Sequence, residues 1–288
     1  MHRGHLLGIV YLSFATFLWG STFVLVKGSL DSIGASQMNV LRFGLAVLCF
    51  LPWLFVRDSR LWRAGLELGA YLFVAYLTQT VGLESTTASR SAFITTLYVV
   101  ILPLMLGILG HRLGWNIWAS AGLAILGVGL LSYDGSPPNA GDLWTLGTAA
   151  SYALYIWRME HHAPRFAALP LTGVQMLVVL AGSLVWVGVE QPQWDWGGLP
   201  WPQILYLGVV ASAFCVWLQA VGQRTVPASE AAVIYTLEPV YAALLAMAFL
   251  GERLGWQGWL GGALILGATL VSQLPLLWPR GLKLGRRS

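Results

Sequence analysis

Residues 79–100 (QTVGLESTTASRSAFITTLYVV) and 219–240 (QAVGQRTVPASEAAVIYTLEPV) are two copies of one segment. At a constant offset of 140, identities fall at Gln79, Val81, Gly82, Ala88, Ser89, Ala92, Ile94, Thr96, Leu97 and Val100, which is 10 of 22 positions. The register then slips by one, so that Arg112-Leu113-Gly114-Trp115 matches Arg253-Leu254-Gly255-Trp256. It slips back, and GLAILGVGLLS (122–132) matches GALILGATLVS (262–272). Shared apolar composition alone does not align glycines, glutamines and tryptophans. The chain is therefore an internal duplication and must fold as two related halves.

The solvent for those halves follows from composition. The chain is 57% apolar and 10% charged, with a mean hydropathy of +0.69. A soluble domain carries about 25% charged residues. Cutting at charges, Pro/Gly clusters and polar runs leaves about ten segments near the ~20 residues that a helix needs to cross a bilayer. They run over 6–27, 35–56, 64–83, 89–110, 115–133, 142–158, 170–189, 203–223, 229–250 and 256–277. The third and fourth blur at their shared loop, and the sixth is short. The expectation is an all-α membrane protein of ten transmembrane helices with no room for a soluble domain. Arg3 and the apolar run behind it imitate a signal peptide, but no small-x-small cleavage site follows, so the segment reads as an uncleaved first helix. Cys49 and Cys215 fall inside spans and read as small core residues rather than a disulfide.

Charge sets the orientation. With the N-terminus cytoplasmic, Arg3, Arg57, Arg60, Arg63, Arg112, Arg158, Arg165, Arg224, Arg280, Lys283, Arg286 and Arg287 lie inside. Lys27, Arg42, Arg90 and Arg253 lie towards the other side, and most loop acids lean that way too. A split of 12 to 4 predicts a multi-pass protein of the cytoplasmic (inner) membrane with both termini inside. Five spans per copy make the repeat inverted: 1–137 forms the first five-helix half, 138–279 the second, and 280–288 a basic cytoplasmic tail. That tail has no aromatic interleaving, so it reads as a topology signal near anionic lipid, and no nucleic-acid partner is expected. Inverted halves let a chain exchange inward- and outward-open states.

Four short motifs carry a family resemblance. They are Leu-Trp-Gly-Ser-Thr-Phe (18–23), Leu-Arg-Phe (41–43), Leu-Glu-Pro-Val-Tyr (237–241) and Gly-Glu-Arg-Leu-Gly (251–255). With the two five-span halves, they resemble the EamA-type members of the drug/metabolite transporter superfamily. The resemblance implies a ten-helix inner-membrane transporter. Its central cavity would be lined by helices 1, 3, 4 and 9 with 6 and 8 beside them, and helices 5 and 10 would be peripheral. Members export amino acids, other metabolites or toxic compounds. The copies differ at one point: the second has Glu238-Pro239 where the first has Tyr98-Val99, with its proline later at Pro103.

Several residues are candidates for function. Glu238 falls near the middle of the ninth span, where an acid costs about 2.5–3.5 kcal/mol and so faces a cavity or a partner. It reads either as a proton-linked gate or ammonium anchor, or as a structural group bonded to neighbouring helices. Pro239 and Pro103 remove helix bonds to the carbonyls of Tyr235 and Val99, which makes the ninth and fourth spans candidate hinges or static kinks. Gln79 and Gln219, mates in the repeat, offer amides that would either grip a solute or join two helices. Trp19, Tyr76, Tyr98, Tyr152, Tyr155, Trp217 and Tyr235 sit deep in their spans, and all but Tyr152 are candidates for cavity walls, with Thr95 beside them. Aromatic walls with few polar groups suit an amphipathic small molecule. Arg42, deepest of the cations near span ends, reads by default as snorkelling to the interface, or else as pairing with a carboxylate that the sequence does not name. Glycines at 122, 127 and 129 and at 258, 261, 262 and 267 read as contacts between the two scaffold helices, or as a dimer face.

Catalytic signals are weak. There is no His-Glu-x-x-His, Gly-x-Ser-x-Gly or phosphate loop. Glu160-His161-His162 are adjacent and point apart on a helix, a poor metal clamp. The reading is a non-enzymatic secondary transporter with no cofactor or metal, a small-molecule substrate and the bilayer as partners, acting as a monomer or homodimer. It would export amphipathic metabolites such as amino acids by alternating access. Alternatives are an uptake permease of the same fold and, from another class, an intramembrane enzyme or a sensor.

Overall fold

The computed structural model describes residues 3–132, 137–242, 244 and 255–272. The basic tail 280–288 and most of the Gly-Glu-Arg-Leu-Gly motif lie outside the described residues. Every regular element among the described residues is helical. Among the described residues, six stretches are long and apolar enough to cross a membrane: Arg3–Ser29, Ala35–Trp53, Ser59–Ser85, Arg90–Ile108, Ala168–Glu190 and Trp201–Gly222.

We number the helices along the chain. α1 comprises Arg3–Trp19 and Thr22–Ser29, and α2 is Ala35–Phe50 followed by a 3-10 turn. α3 is Ser59–Ser85, and α4 comprises Ala88–Thr96 and Tyr98–Ile108. α5 is Trp115–Ser132, α6 Ala140–His162 and α7 Ala168–Glu190. α8 runs through Trp201–Leu205, a π-helical segment Tyr206–Phe214 and Cys215–Gly222. α9 begins as Ala228–Tyr235 and resumes at Glu238, and α10 is Trp256–Ser272.

Local chemistry sets the ends. Asp58 accepts the N–H of Arg60 at the start of α3, and Thr87 accepts that of Arg90 at the start of α4. The α3–α4 boundary that the sequence blurred is this Thr86-Thr87 pair. Asn139 and Asp142 form a reciprocal capping box that opens α6. Gly110, at φ +84°, closes α4 in a conformation that costs a side chain strain, and Gln191 closes α7 in the same left-handed region.

Four helices are interrupted among the described residues. α1 breaks at Gly20-Ser21. A Cβ on Gly20 would lie 3.0 Å from both Tyr241 Cβ and the Ala242 nitrogen, so glycine lets α9 approach here. The Leu18 carbonyl at this break accepts from Ser21 Oγ at 2.9 Å and from the Tyr206 hydroxyl at 3.1 Å. α4 breaks at Leu97 and α9 at Thr236-Leu237, positions that correspond under the offset of 140. In each, a threonine hydroxyl turns back on its own helix: Thr96 Oγ1 bonds the Ala92 carbonyl and Thr236 Oγ1 the Val233 carbonyl, both at 2.7 Å. Such back-bonding competes with the helical ladder. The Leu97 and Leu237 N–H groups then bond carbonyls three residues back. Pro239 stands just after the α9 break. Pro103 lies inside the continuous piece Tyr98–Ile108, six residues past the α4 break, so the interruption there is not at the proline. The fourth interruption, the π segment of α8, has no counterpart in α3, which is one unbroken helix.

α3 packs on α6 and α7, α2 on α7 and α8, and α1 on α8 and α9. α5 packs along α10, where a Cβ on Gly127 would lie 2.7 Å from the Gly261 carbonyl oxygen. Outward faces carry exposed Leu6, Val10, Phe14, Leu66, Val185 and Leu270, an apolar exterior suited to lipid.

Candidate functional site

The broken helices surround one central cavity. α1 supplies Trp19 and Thr22, and α2 supplies Arg42. α3 gives Tyr76 and Gln79, α4 gives Thr95 and Tyr98, and α6 gives Tyr152 and Ile156. Gln219 comes from α8, and Tyr235 and Glu238 flank the break in α9. The cavity is narrow, with a volume of about 40 Å³.

Five of the twelve lining residues are aromatic, and their rings pack on one another. Tyr76 and Tyr98 each meet Tyr152 edge-on, at 6.2 and 6.5 Å between centroids, and Trp19 meets Tyr235 at 5.8 Å. The Trp19 indole N–H donates to the Ala211 carbonyl of the π segment at 2.8 Å, which fixes that ring.

The polar groups divide into satisfied and unsatisfied ones. Gln219 Nε2 donates to Gln223 Oε1 at 3.1 Å, and Gln223 donates to the Ile156 carbonyl, so this amide joins helices. Its mate Gln79 has no hydrogen-bond partner among the described residues. Thr95 Oγ1 and the Tyr98 hydroxyl are buried without partners among the described residues, although each residue is only 3% exposed. Glu238 likewise has neither hydrogen bond nor ion pair among the described residues.

Arg42 departs from the sequence expectation. It does not snorkel: it is 2% exposed and its Nε donates to Ser212 Oγ on the π segment at 2.6 Å. Its guanidinium carbon lies 4.5 Å from the Tyr76 ring centroid, a cation–π contact. A Cβ on Gly208 would lie 2.7 Å from the Arg42 carbonyl, so glycine lets α8 come close enough for Ser212 to reach this arginine.

Trp19, Tyr76, Gln79, Thr95, Tyr98, Gln219, Tyr235 and Glu238 thus come together in one place. Two residues expected on its wall lie elsewhere. Tyr155 is fully buried against α7, its hydroxyl donating to Gln175 Oε1 at 2.8 Å. Trp217 faces a shallow apolar groove with Cys49, Phe50, Leu169 and Phe214. Sequence reasoning missed Thr22, Tyr152 and Ile156 and misread Arg42. Tyr152 was noted as deep, but nothing local separates it from Tyr155. Pro103 does not line the cavity, and Pro239 adjoins it through Glu238.

At the two ends, charged clusters hold the helices together. At one end, Asp142 pairs with Arg90 at 2.8 Å and accepts from Thr86 Oγ1 at 3.0 Å. Lys27 Nζ donates to the Leu83 carbonyl at 2.5 Å. At the other end, Glu67 accepts from Arg158 and from His162 Nε2, the latter at 2.9 Å, and His5 meets Glu230 at 3.1 Å. No group of three His, Cys, Asp or Glu suited to a metal occurs among the described residues.

A helical bundle with an apolar exterior, around a narrow cavity of aromatic and polar side chains, defines a multi-pass membrane protein. The EamA-like transporter family matches the chain twice, over residues 6–133 and 139–273, and the chain belongs to that family. An uncharacterized transporter of Archaeoglobus fulgidus is 30% identical over 271 residues, covering 91% of this chain and 84% of the relative. The biotin transporter of Escherichia coli strain K12 is 28% identical, covering 93% and 94%. The threonine/homoserine exporter RhtA of Salmonella typhimurium is 27% identical, covering 88% and 86%. One crystal structure superposes with a TM-score of 0.75 over 91% of this chain and 95% of its own, at 18% identity, a likeness of fold alone. The chain is a transporter.

Proposed function

We propose that this protein is a secondary transporter that exports small amphipathic metabolites, amino acids foremost, by alternating access. The observation that carries the reading is the narrow cavity set between two helices broken at repeat-related threonines, Thr96 and Thr236. A contracted cavity flanked by matched breaks is suited to open to either side by exchanging the bends of its two halves. The relative named as a threonine/homoserine exporter supports amino acids and the outward direction. The family's two matches support a division into halves near 1–137 and 138–279, and the 12-to-4 charge split supports an inverted arrangement in the inner membrane with both termini cytoplasmic. Residues at the two breaks, with Pro239 behind the second, would carry the bending. The protein would work as a monomer or homodimer, driven by the solute gradient or by coupled protons or exchange.

The test is reconstitution into liposomes with a radiolabelled amino-acid panel, with and without a pH gradient. Saturable flux of at least one amino acid is expected, and no flux above that of empty liposomes for any of them would overturn the reading. Spin labels across α4 and across α9 should change separation on adding the transported solute. Unchanged distances would remove the bending element of the mechanism.

A further inference from the structure

We propose that the cavity holds its solute between two poles, with Arg42 gripping a carboxylate and Glu238 an ammonium group, so that it selects zwitterions. This inference rests on the amino-acid reading above.

Both side chains face the same cavity, yet no ion pair joins them. Arg42 is anchored by one nitrogen alone. Its Nε bonds Ser212 and its plane lies against Tyr76, while its two terminal amino groups make no hydrogen bond among the described residues. Those amino groups form the planar fork that binds a carboxylate through two parallel hydrogen bonds. A buried cation with no carboxylate beside it is costly, and a bound anion relieves that cost. Glu238 sits on α9 with its carboxylate unpartnered among the described residues, a complementary acceptor for an ammonium group. The unpartnered hydroxyls of Tyr98 and Thr95 lie on the same wall and supply neutral donors and acceptors. The aromatic rings take the apolar side chain. A solute with one charge would leave the opposite pole unanswered.

Binding to the full-length protein in detergent tests this at pH 6, where the amine of an amino-acid ester is protonated. The probes are leucine, threonine and phenylalanine, each with its methyl ester and its N-acetyl derivative. The free amino acid should bind about 10- to 100-fold more tightly than either derivative, the equivalent of one charge-assisted hydrogen bond. In Arg42→Gln the amino acid should lose its advantage over the ester. In Glu238→Gln it should lose its advantage over the N-acetyl compound. These are ratios within one preparation, so a smaller folded fraction does not imitate them, and Arg42→Lys should retain part of the preference. Equal binding of all three forms by the wild type would overturn the two poles and leave the transporter reading standing. N-acetyl binding as tight as that of the amino acid would also overturn the proposal, by leaving a carboxylate site alone. If no amino acid binds, both readings fall together.

Discussion

Gly65 and Gly69 stand one turn apart on α3, where it meets α7. A Cβ on Gly69 would lie 2.6 Å from Val178 Cβ and 3.1 Å from the Gln175 carbonyl oxygen. One on Gly65 would lie 2.6 Å from Val174 Cβ. Carbon atoms prefer about 3.5–4.0 Å, so the helices must part by roughly 1 Å. Rotating the valines does not help, because the obstructing atom is the Cβ itself. A gap of that size forfeits about a quarter to a half of each contact along the seam. In lipid, such packing is much of what holds helices together. Overpacking costs about 1–3 kcal/mol, and alanine returns about 0.5–1 kcal/mol over glycine within a helix, so Gly69→Ala should destabilise by about 1–2 kcal/mol. Gly65→Ala should cost a similar amount. The double variant should cost less than the sum, since the first substitution already separates the helices. Gly44→Ala is the control: nothing lies within 4 Å of its Cβ position, and it should be neutral or slightly stabilising. Unfolding by dodecyl sulfate in maltoside micelles, followed by tryptophan fluorescence, measures all four. Gly65 and Gly69 variants as stable as the Gly44 variant, or strictly additive costs, would refute the argument. Because α3 carries Tyr76 and Gln79, solute affinity should fall in the same two variants.

Four further outcomes are expected. Tyr98→Phe removes a hydroxyl without a partner among the described residues, so stability should change by less than about 0.5 kcal/mol while KM for the transported solute rises about five- to tenfold. Tyr155→Phe should do the reverse, leaving KM unchanged but costing about 1–3 kcal/mol in unfolding, because Gln175 Oε1 loses its partner in a fully buried place. Trp19→Phe deletes the bond to the Ala211 carbonyl and frees a ring of the cavity wall, so KM should rise severalfold with little change in expression. Glu67→Gln weakens its contacts to Arg158 and His162, which are partly exposed, and the loss in micelle unfolding should stay near or below about 1 kcal/mol.

How far the site was legible follows from what a helix hides. Depth along a span can be counted from the sequence, and the candidates at cavity depth were found that way. Facing cannot, because adjacent residues of a helix point about 100° apart and the rotation of each helix is set by its neighbours. Tyr152 and Tyr155 share a depth on α6, yet one lines the cavity and the other bonds Gln175 on α7. Gln219 and Trp217 are two residues apart on α8 and face different spaces. Arg42 lies within reach of a span end by count, and the default for such a cation is to snorkel. What overrides that default is Ser212, distant in sequence and carried on a π segment whose wider turn no local motif announced. Proline marked α9 as interrupted, but in α4 the break follows Thr96 instead of Pro103, and the same hydroxyl back-bond at Thr78 and Thr80 leaves α3 unbroken, so no local signal announces that place.

By itself, the sequence determined the solvent, the duplication and the set of apolar helices, since all three depend on composition and spacing that any fold of this chain must respect. Only the tertiary structure decided which faces of those helices meet. That rotational choice brought Arg42 and Glu238 to one cavity without an ion pair between them, because each helix turns to satisfy its own packing surface and carries its polar residues wherever that turn leaves them.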